Sequence, residues 1–304
     1  MLARGLAQDG SKMEKTVEVS NVTKSFNRQS IVKDISFDIA PGEIFGLIGP
    51  NGAGKTTIIR MLLDIIKPDS GNIRIMEGGQ REENKDIIGY LPEERGLYRR
   101  LTVMDSLLYL GALKNRQSKK RMFELLEQME MLQHKDRKLS ELSKGMQQKI
   151  QLIAAICHDP QLIILDEPFS GLDPVNMKLV KDMIIELGKE GKTLLISTHM
   201  MDQVERMCSR IFMMNRGSGV LYGSMGEIKS RFGKNTIFLD FEGELKNIPG
   251  VKKLNHSGNY AELILENGAD TQDVLKAIAR DVRVSRFEVS APSLNEIFIK
   301  VVEG

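Results

Sequence analysis

The sequence predicts a two-domain α/β protein: a mixed-sheet core with an antiparallel β subdomain and a helical insert, followed by a small ferredoxin-like αβ domain. Three observations carry this expectation. Nearly continuous apolar runs, EIFGLIG at 43–49, LIILD at 162–166 and TLLIS at 193–197, alternate with helical patterns, as in a parallel sheet covered on both faces. Ahead of them, VEVSNVTKSF and IVKDISFDI alternate apolar and polar positions, as half-buried antiparallel strands do. After them, a polar stretch carrying three glycines, GSMGEIKSRFGKN, marks a domain boundary. The expected division is therefore 14–222, a linker over 223–234, and 235–304.

Each element follows from its local pattern. The run at 43–49 leads through a glycine-rich turn into TTIIRMLLDII, which reads as strand, loop and helix. In the helical insert, about 100–160, Thr102 and Asp105 form a capping box, Val103, Leu107 and Leu110 share a face, and KRMFELLEQMEML continues as helix. Another helix starts near Gly145, with Met146, Ile150, Ile153, Ala154 and Cys157 on one face, and HDP ends it. The helix VKDMIIELGKE and the strand RIFMMN complete the core. Beyond the boundary TIFLDF, VKKLNH and YAELILE are strands, TQDVLKAIAR a helix, VSRFEVS a strand and SLNEIFIKVV a last helix. Residues 1–13 read as a polar extension ahead of Met13 and stay outside the fold argument.

Composition narrows the class. Of 304 residues, 41% are hydrophobic and 28% charged, values of a folded chain and not a disordered one. Lys+Arg 43 against Asp+Glu 41 leaves +2, so nothing electrostatic asks for a nucleic-acid partner. The basic stretch KNRQSKKR, Lys114 to Arg121, lacks interleaved aromatics and reads as a solvated turn. Cys157 and Cys208 fall in apolar-periodic segments, as buried thiols of a reducing compartment do. Methionines such as Met122 and Met129 read as packing, and His134, His158 and His256 as structural. No apolar run approaches the ~18 residues of a membrane span and the start carries no long apolar leader, so the expected location is cytoplasmic.

The chemistry is concentrated in Gly49-Pro50-Asn51-Gly52-Ala53-Gly54-Lys55-Thr56, a complete P-loop pattern, with Thr57 following. Between a buried strand and a helix, Asn51, Gly52, Ala53 and Gly54 let backbone N–H groups converge on phosphate oxygens, where the helix N-terminus adds positive potential. Lys55 neutralises β and γ charge, and Thr56 offers a magnesium ligand. Asp166 ends the run LIIL, where a strand-tip carboxylate holds Mg2+, and Glu167 points toward the attacking water to polarise it or accept its proton. His199, after TLLIS, stands at a strand's C-terminal edge, where ligand sites of parallel sheets gather.

With these motifs on the page, the chain resembles the ATP-binding subunits of ABC transporters over about residues 14–222. LSKGMQQ at 142–148 stands where the family carries its LSGGQ signature, and Ser170-Gly171-Leu172-Asp173 matches the D-loop. The resemblance implies ATP and Mg2+ as cofactors, magnesium-dependent ATP hydrolysis, and head-to-tail closure as a homodimer or with a paired ABC ATPase subunit. Ser143 and Gly145 would then meet the γ-phosphate on the partner's P-loop, Met146 and Asp173 would be further cofactor-binding positions, and Phe26 would stack on adenine. Glu93 stands where a glutamine follows IGYLP in the family; it reaches magnesium through a water and adds negative charge. Lys144 and Met146 replace a glycine and a glutamine of the signature, and Met146 has no hydrogen-bond donor on its side chain. IGYLPEERGLY and the C-terminal domain resemble subunits of bacterial sodium and drug efflux exporters. The expected function is thus to power a separate integral membrane permease, at the inner face of the cell membrane. An importer subunit and a soluble ABC-type ATPase acting on nucleic acid or ribosomes are the alternatives.

Overall fold

The computed structural model describes residues 15–76, 86–94, 96–114, 118–232, 236–245, 248–266, 268–290 and 292–303. The extension read at 1–13 lies outside them, as do 115–117 of the basic stretch. In chain order the elements are β1 Val17–Phe26, β2 Gln29–Ile39, β3 Ile44–Ile48, α1 Lys55–Leu62, β4 Ser70–Ile75, β5 Ile88–Leu91, α2 Val103–Leu113, α3 Lys119–Gln128, α4 Lys144–Ile156, β6 Leu162–Asp166 and α5 Pro174–Lys189. There follow β7 Thr193–Thr198, α6 Met201–Glu205, β8 Arg210–Asn215, β9 Ser218–Ser224, α7 Met225–Arg231, β10 Thr236–Glu242, β11 Val251–Ser257, β12 Tyr260–Leu265, α8 Thr271–Asp281, β13 Arg283–Ser290 and α9 Leu294–Glu303. The chain divides into two compact units: residues up to Met200 with Met207–Tyr222, and Met201–Arg206 with everything from Gly223 onward.

In the first unit, two sheets enclose the core. The alternating N-terminal strands form an antiparallel sheet in the order β2-β1-β4, and the apolar runs form a six-stranded sheet in the order β5-β6-β7-β3-β8-β9. Within it β5, β6, β7, β3 and β8 are parallel neighbours, while β9 folds back on β8 through Arg216 and Gly217, both at positive φ. Val17, Phe37, Phe45, Leu47, Ile58, Ile59 and Phe212 belong to one buried cluster joining the antiparallel sheet, α1 and the parallel strands. Each fully buried side chain of this kind contributes about 1.5–3 kcal/mol. β6 and β7 are buried along their whole length, which is why their sequences read as unbroken apolar runs.

Local signals explain the helix ends. Thr102 caps α2, its Oγ1 accepting the Asp105 N–H at 3.1 Å. The Asp105 carboxylate takes the Thr102 hydroxyl at 2.7 Å, so the expected box closes through side chains. Met122 and Met129 are fully buried, as packing residues are, and both cysteines are free and buried. Burial pushes the Cys157 thiol up to about 11, far from a reactive thiolate. Lys120 faces Glu124 at 3.8 Å and Arg121 faces Asp159 at 3.2 Å, so the described part of the basic stretch is partly neutralised.

In the second unit a four-stranded antiparallel sheet has the order β11-β12-β10-β13, the strand order of a ferredoxin-like sheet. Alternate residues Ile237, Leu239, Phe241, Ala261, Leu263 and Leu265 join Val274 and Ile278 of α8 in a separate core. Among the described residues no helix joins β10 to β11, where a ferredoxin-like module has its first one. Two further features differ from the sequence reading. Residues 223–234, read as linker, contain α7, started by a complete capping box between Ser224 and Glu227. Met201–Arg206, read as part of the ATPase domain, belongs to this second unit.

Candidate functional site

Register brings the chemistry together. Ile48 pairs with Thr198 and Asp166 with Ser197, so β3, β6 and β7 end level with one another and their C-terminal loops share one sheet edge. There a cleft of about 430 Å³ is lined by Ile31, residues 51–57, Glu93, Asp166 and Glu167. All the P-loop positions singled out in the sequence from Asn51 to Thr57 therefore lie on it. Gly54 precedes α1 at φ 107, a conformation suited to glycine, and turns the helix N-terminus toward the cleft.

Lys55 is buried, with Nζ donating to the Gly49 carbonyl at 2.8 Å and the Pro50 carbonyl at 3.2 Å. Desolvation holds its pKa below the ordinary lysine value, against the attraction of Glu167, Asp166 and Glu93. Thr56 Oγ1 donates to Asp166 Oδ2 at 3.2 Å, while Asp166 Oδ1 is buried with no hydrogen-bond partner among the described residues. Burial raises the Asp166 pKa against the pull of the neighbouring Ser197 and Thr56 hydroxyls, and Glu93 and Glu167 add to the rise. A hydroxyl and a carboxylate with a spare buried oxygen form a donor set suited to a hard divalent cation.

Glu167 adopts φ 50, unusual for a residue with a Cβ, and its N–H donates to the Ser197 carbonyl at 2.8 Å. Its Oε2 accepts the Thr198 hydroxyl at 2.9 Å. Oε1 accepts the His199 N–H at 3.1 Å, meets His199 Nδ1 at 2.9 Å, and stands 3.7 Å from Lys55 Nζ. The carboxylate is thus fixed on three sides and lines the same cleft as Lys55. His199 is thus in contact with the site, while His158, bonded to the Ile88 carbonyl at 3.2 Å, keeps a structural role.

The remaining candidates lie elsewhere in the first unit. Ser143 caps α4, its Oγ accepting the Met146 N–H at 3.3 Å, so Met146 contributes backbone there whatever its side chain. Asp173 caps α5 ahead of Pro174, accepting the N–H groups of Val175 and Asn176 at 3.0 Å each. These bonds, that of Asn176 first, lower its pKa. None of Ser143, Gly145, Met146 and Asp173 lines the P-loop cleft. Phe26 is 45% exposed, with Lys24 Nζ over its ring at 5.4 Å from the centre, so it is a surface aromatic and not a core residue.

Comparison with known proteins gives this geometry a family. Residues 32–170 match the ABC transporter family, and 223–302 match the C-terminal domain of DrrA1-3-like ATP-binding proteins. An uncharacterised ABC transporter ATP-binding protein of Alkalihalophilus pseudofirmus is 43% identical over 84% of this chain and 98% of its own length. The chain belongs to the ATP-binding subunits of ABC transporters. ATP is the nucleotide these ABC ATPases hydrolyse. A Nod factor export ATP-binding protein of a Rhizobium species is 33% identical over 94% of this chain and 96% of its own. Among solved structures, an ATP-binding subunit of an ABC transporter superposes with a TM-score of 0.65, at 30% identity over 72% of this chain and 93% of that one.

For an ABC subunit, two contributions were not visible in the sequence. Ile31, at the start of β2, closes one side of the P-loop cleft, and Gln151 of α4 donates to the Glu94 carbonyl at 3.4 Å, tying the helix after the signature to the segment carrying Glu93. Gly49 shows why the loop's first glycine is required: a Cβ there would sit 2.3 Å from the Met214 carbonyl oxygen. Gly49→Ala is therefore expected to cost at least about 1–3 kcal/mol of stability and to weaken ATP binding, read by thermal unfolding and nucleotide titration. Gly145→Ala, whose Cβ would find its nearest neighbours at 3.6 and 3.7 Å, is expected to leave the unfolding temperature near wild type. Equal effects of the two would refute this distinction.

Proposed function

We propose that this chain is the ATP-hydrolysing subunit of an exporter, closing head to tail on Mg2+ and ATP with a second copy or a related subunit to drive a separate membrane permease. The observation that supports this most is the division of its nucleotide-binding residues. Lys55, Thr56, Asp166 and Glu167 form one cleft, whereas Ser143, Gly145, Met146 and Asp173 stand outside it at the N-termini of α4 and α5. Nothing within 3.5 Å of a Cβ at Gly145 demands glycine, which suits close approach by a phosphate from outside the chain.

In this reading Thr56, Asp166 and Glu93 would hold Mg2+, which would supply charge neutralisation to the bound phosphates. Lys55 and the loop N–H groups orient the γ-phosphate, Phe26 stacks on adenine, Glu167 takes the proton of the attacking water, and His199 fixes the Glu167 carboxylate. Because one site needs both subunits, hydrolysis per subunit should rise with protein concentration. A rate per subunit independent of concentration over a monomer-to-dimer range would sink the shared site.

Export is favoured by the relative named for Nod factor export and by the match of the C-terminal domain. ATP-dependent accumulation of cargo in inverted vesicles, with the permease encoded beside this chain, tests it; accumulation only in right-side-out vesicles would mean import. No helix among the described residues is long and apolar enough to cross a membrane, which suits a subunit peripheral to the inner face. The permease would dock on an apolar groove of about 430 Å³ lined by Ile65, Tyr90, Leu97, Leu110, Leu113 and Gln151 among others, with Ile65 62% and Leu113 60% exposed at its rim. Through Gln151 and Glu94, pressure on the groove reaches the Glu93 segment. Ile65→Asp and Leu113→Asp are expected to weaken permease association by about tenfold or more while ATPase of the isolated subunit stays within twofold; undiminished co-purification would refute the groove.

A further inference from the structure

One hydroxyl of β7 has no use within its own strand. The strand Thr193–Thr198 is buried along its whole length, and the hydroxyls of Thr193 and Thr198 are bonded, to Thr16 and to Glu167. Ser197 lies between them, fully buried. Its backbone carbonyl takes the Glu167 N–H at 2.8 Å, but its Oγ is shielded from solvent and has no hydrogen-bond partner among the described residues. Buried polar groups are almost always paired, because an orphan gives up its bonds to water for nothing.

The register names the partner. Ser197 pairs with Leu47 of β3 on one side and with Asp166 of β6 on the other. Neighbouring strands stand about 4.8 Å apart, and register partners present their side chains to the same face. Leu47 offers no polar side-chain atom. Asp166 offers Oδ1, buried and likewise without a partner, while its Oδ2 takes the Thr56 hydroxyl at 3.2 Å. An orphaned donor thus stands beside an orphaned acceptor. The Ser197 hydroxyl also pulls the Asp166 pKa down against the effect of burial, so it favours the charged carboxylate.

We propose that Ser197 is a positioning residue for Asp166 as a metal ligand: its hydroxyl donates to Oδ1 and, with Thr56 on Oδ2, fixes the plane of the carboxylate at the strand tip. A carboxylate oxygen has two lone pairs, so Oδ1 can take the hydroxyl on one and still face a cation with the other. Groups that hold a ligand from behind orient it and tune the affinity of the site. Asp166 lines the P-loop cleft and Ser197 does not, so the effect falls on the divalent ion and not on ATP itself. This rests on the reading that Thr56 and Asp166 hold Mg2+.

The test uses the full-length chain, Mn2+ as a probe in place of Mg2+, and a non-hydrolysable, imido-bridged ATP analogue, with free Mn2+ read by electron paramagnetic resonance. Ser197→Ala is expected to weaken Mn2+ binding to the nucleotide complex about tenfold or more, with affinity for the analogue in the absence of divalent ion within about twofold of wild type. Ser197→Cys nearly keeps the volume but donates poorly, and should resemble Ser197→Ala. Wild-type Mn2+ affinity in Ser197→Ala would overturn the proposal. So would a loss in Ser197→Ala that Ser197→Cys restores, because space-filling and not the hydrogen bond would then be at work. In an Asp166→Ala background, Ser197→Ala should cause no further loss, since it acts through Asp166; an equal loss in both backgrounds would make Ser197 merely structural. If Asp166→Ala itself binds Mn2+ like wild type, the metal reading fails, a result distinct from failure at Ser197 alone.

Discussion

Glu167→Gln is expected to retain ATP and to lose turnover by about 100-fold or more, the usual contribution of a positioned general base. The amide fits the existing hydrogen bonds. Its oxygen can take the Oε1 position, accepting the His199 N–H at 3.1 Å and facing Lys55 Nζ at 3.7 Å. Its NH2 then faces Thr198 Oγ1, a hydroxyl that rotates to accept where it had donated. The Lys55 contacts to the Gly49 and Pro50 carbonyls are untouched, so the phosphate-binding loop keeps its shape. What changes is basicity, since an amide does not accept the proton of water. With hydrolysis stopped and nucleotide held, the ATP-bound pair of subunits should accumulate and elute as a dimer on size exclusion with ATP and magnesium. Monomer alone, together with turnover near wild type, would refute both the catalytic role and head-to-tail closure.

How far the site could be read from sequence depended on whether its parts were contiguous. Residues 49–57 were legible because phosphate binding imposes residue types on one unbroken turn. Glu167 and His199, 32 positions apart, meet only because β6 and β7 are parallel neighbours in register. Their apolar runs suggested strands, but not which strands pair. Ile31 was not legible, because it reaches the cleft through packing of the antiparallel sheet over the P-loop. Two signals were present and could have been used: Ser224 followed three residues later by Glu227 is a capping-box pattern inside the stretch taken as linker, and Asp173-Pro174 is a helix start. The allegiance of α6 to the second unit had no local signal. Its sequence neighbours belong to the nucleotide site, while its partners Lys229 and Leu294 lie beyond the boundary.

Lys55→Ala is expected to reduce ATP affinity by about 100-fold or more, consistent with the roughly 3–5 kcal/mol lost when one partner is stripped from a buried charge cluster. Three carboxylates, Glu167, Asp166 and Glu93, act electrostatically on this ammonium. Without it they repel the β and γ phosphates uncompensated, and the carbonyls of Gly49 and Pro50 lose their donor. Two separate effects therefore act in the same direction, loss of the counter-charge and loosening of the loop. The pH dependence gives an independent check. Desolvation holds the Lys55 pKa below the usual 10.5, so the free protein loses this charge at a lower pH than free lysine does. Below that pKa the ammonium is present before and after binding and affinity is insensitive to this group. Above it, binding must take up a proton, and ATP affinity falls as pH rises. The alkaline decline should thus begin below 10.5 in the wild type and be missing in Lys55→Ala. Nucleotide titrations across alkaline pH decide it: wild-type affinity in the variant, or the same alkaline decline in both proteins, would remove Lys55 from the phosphate site.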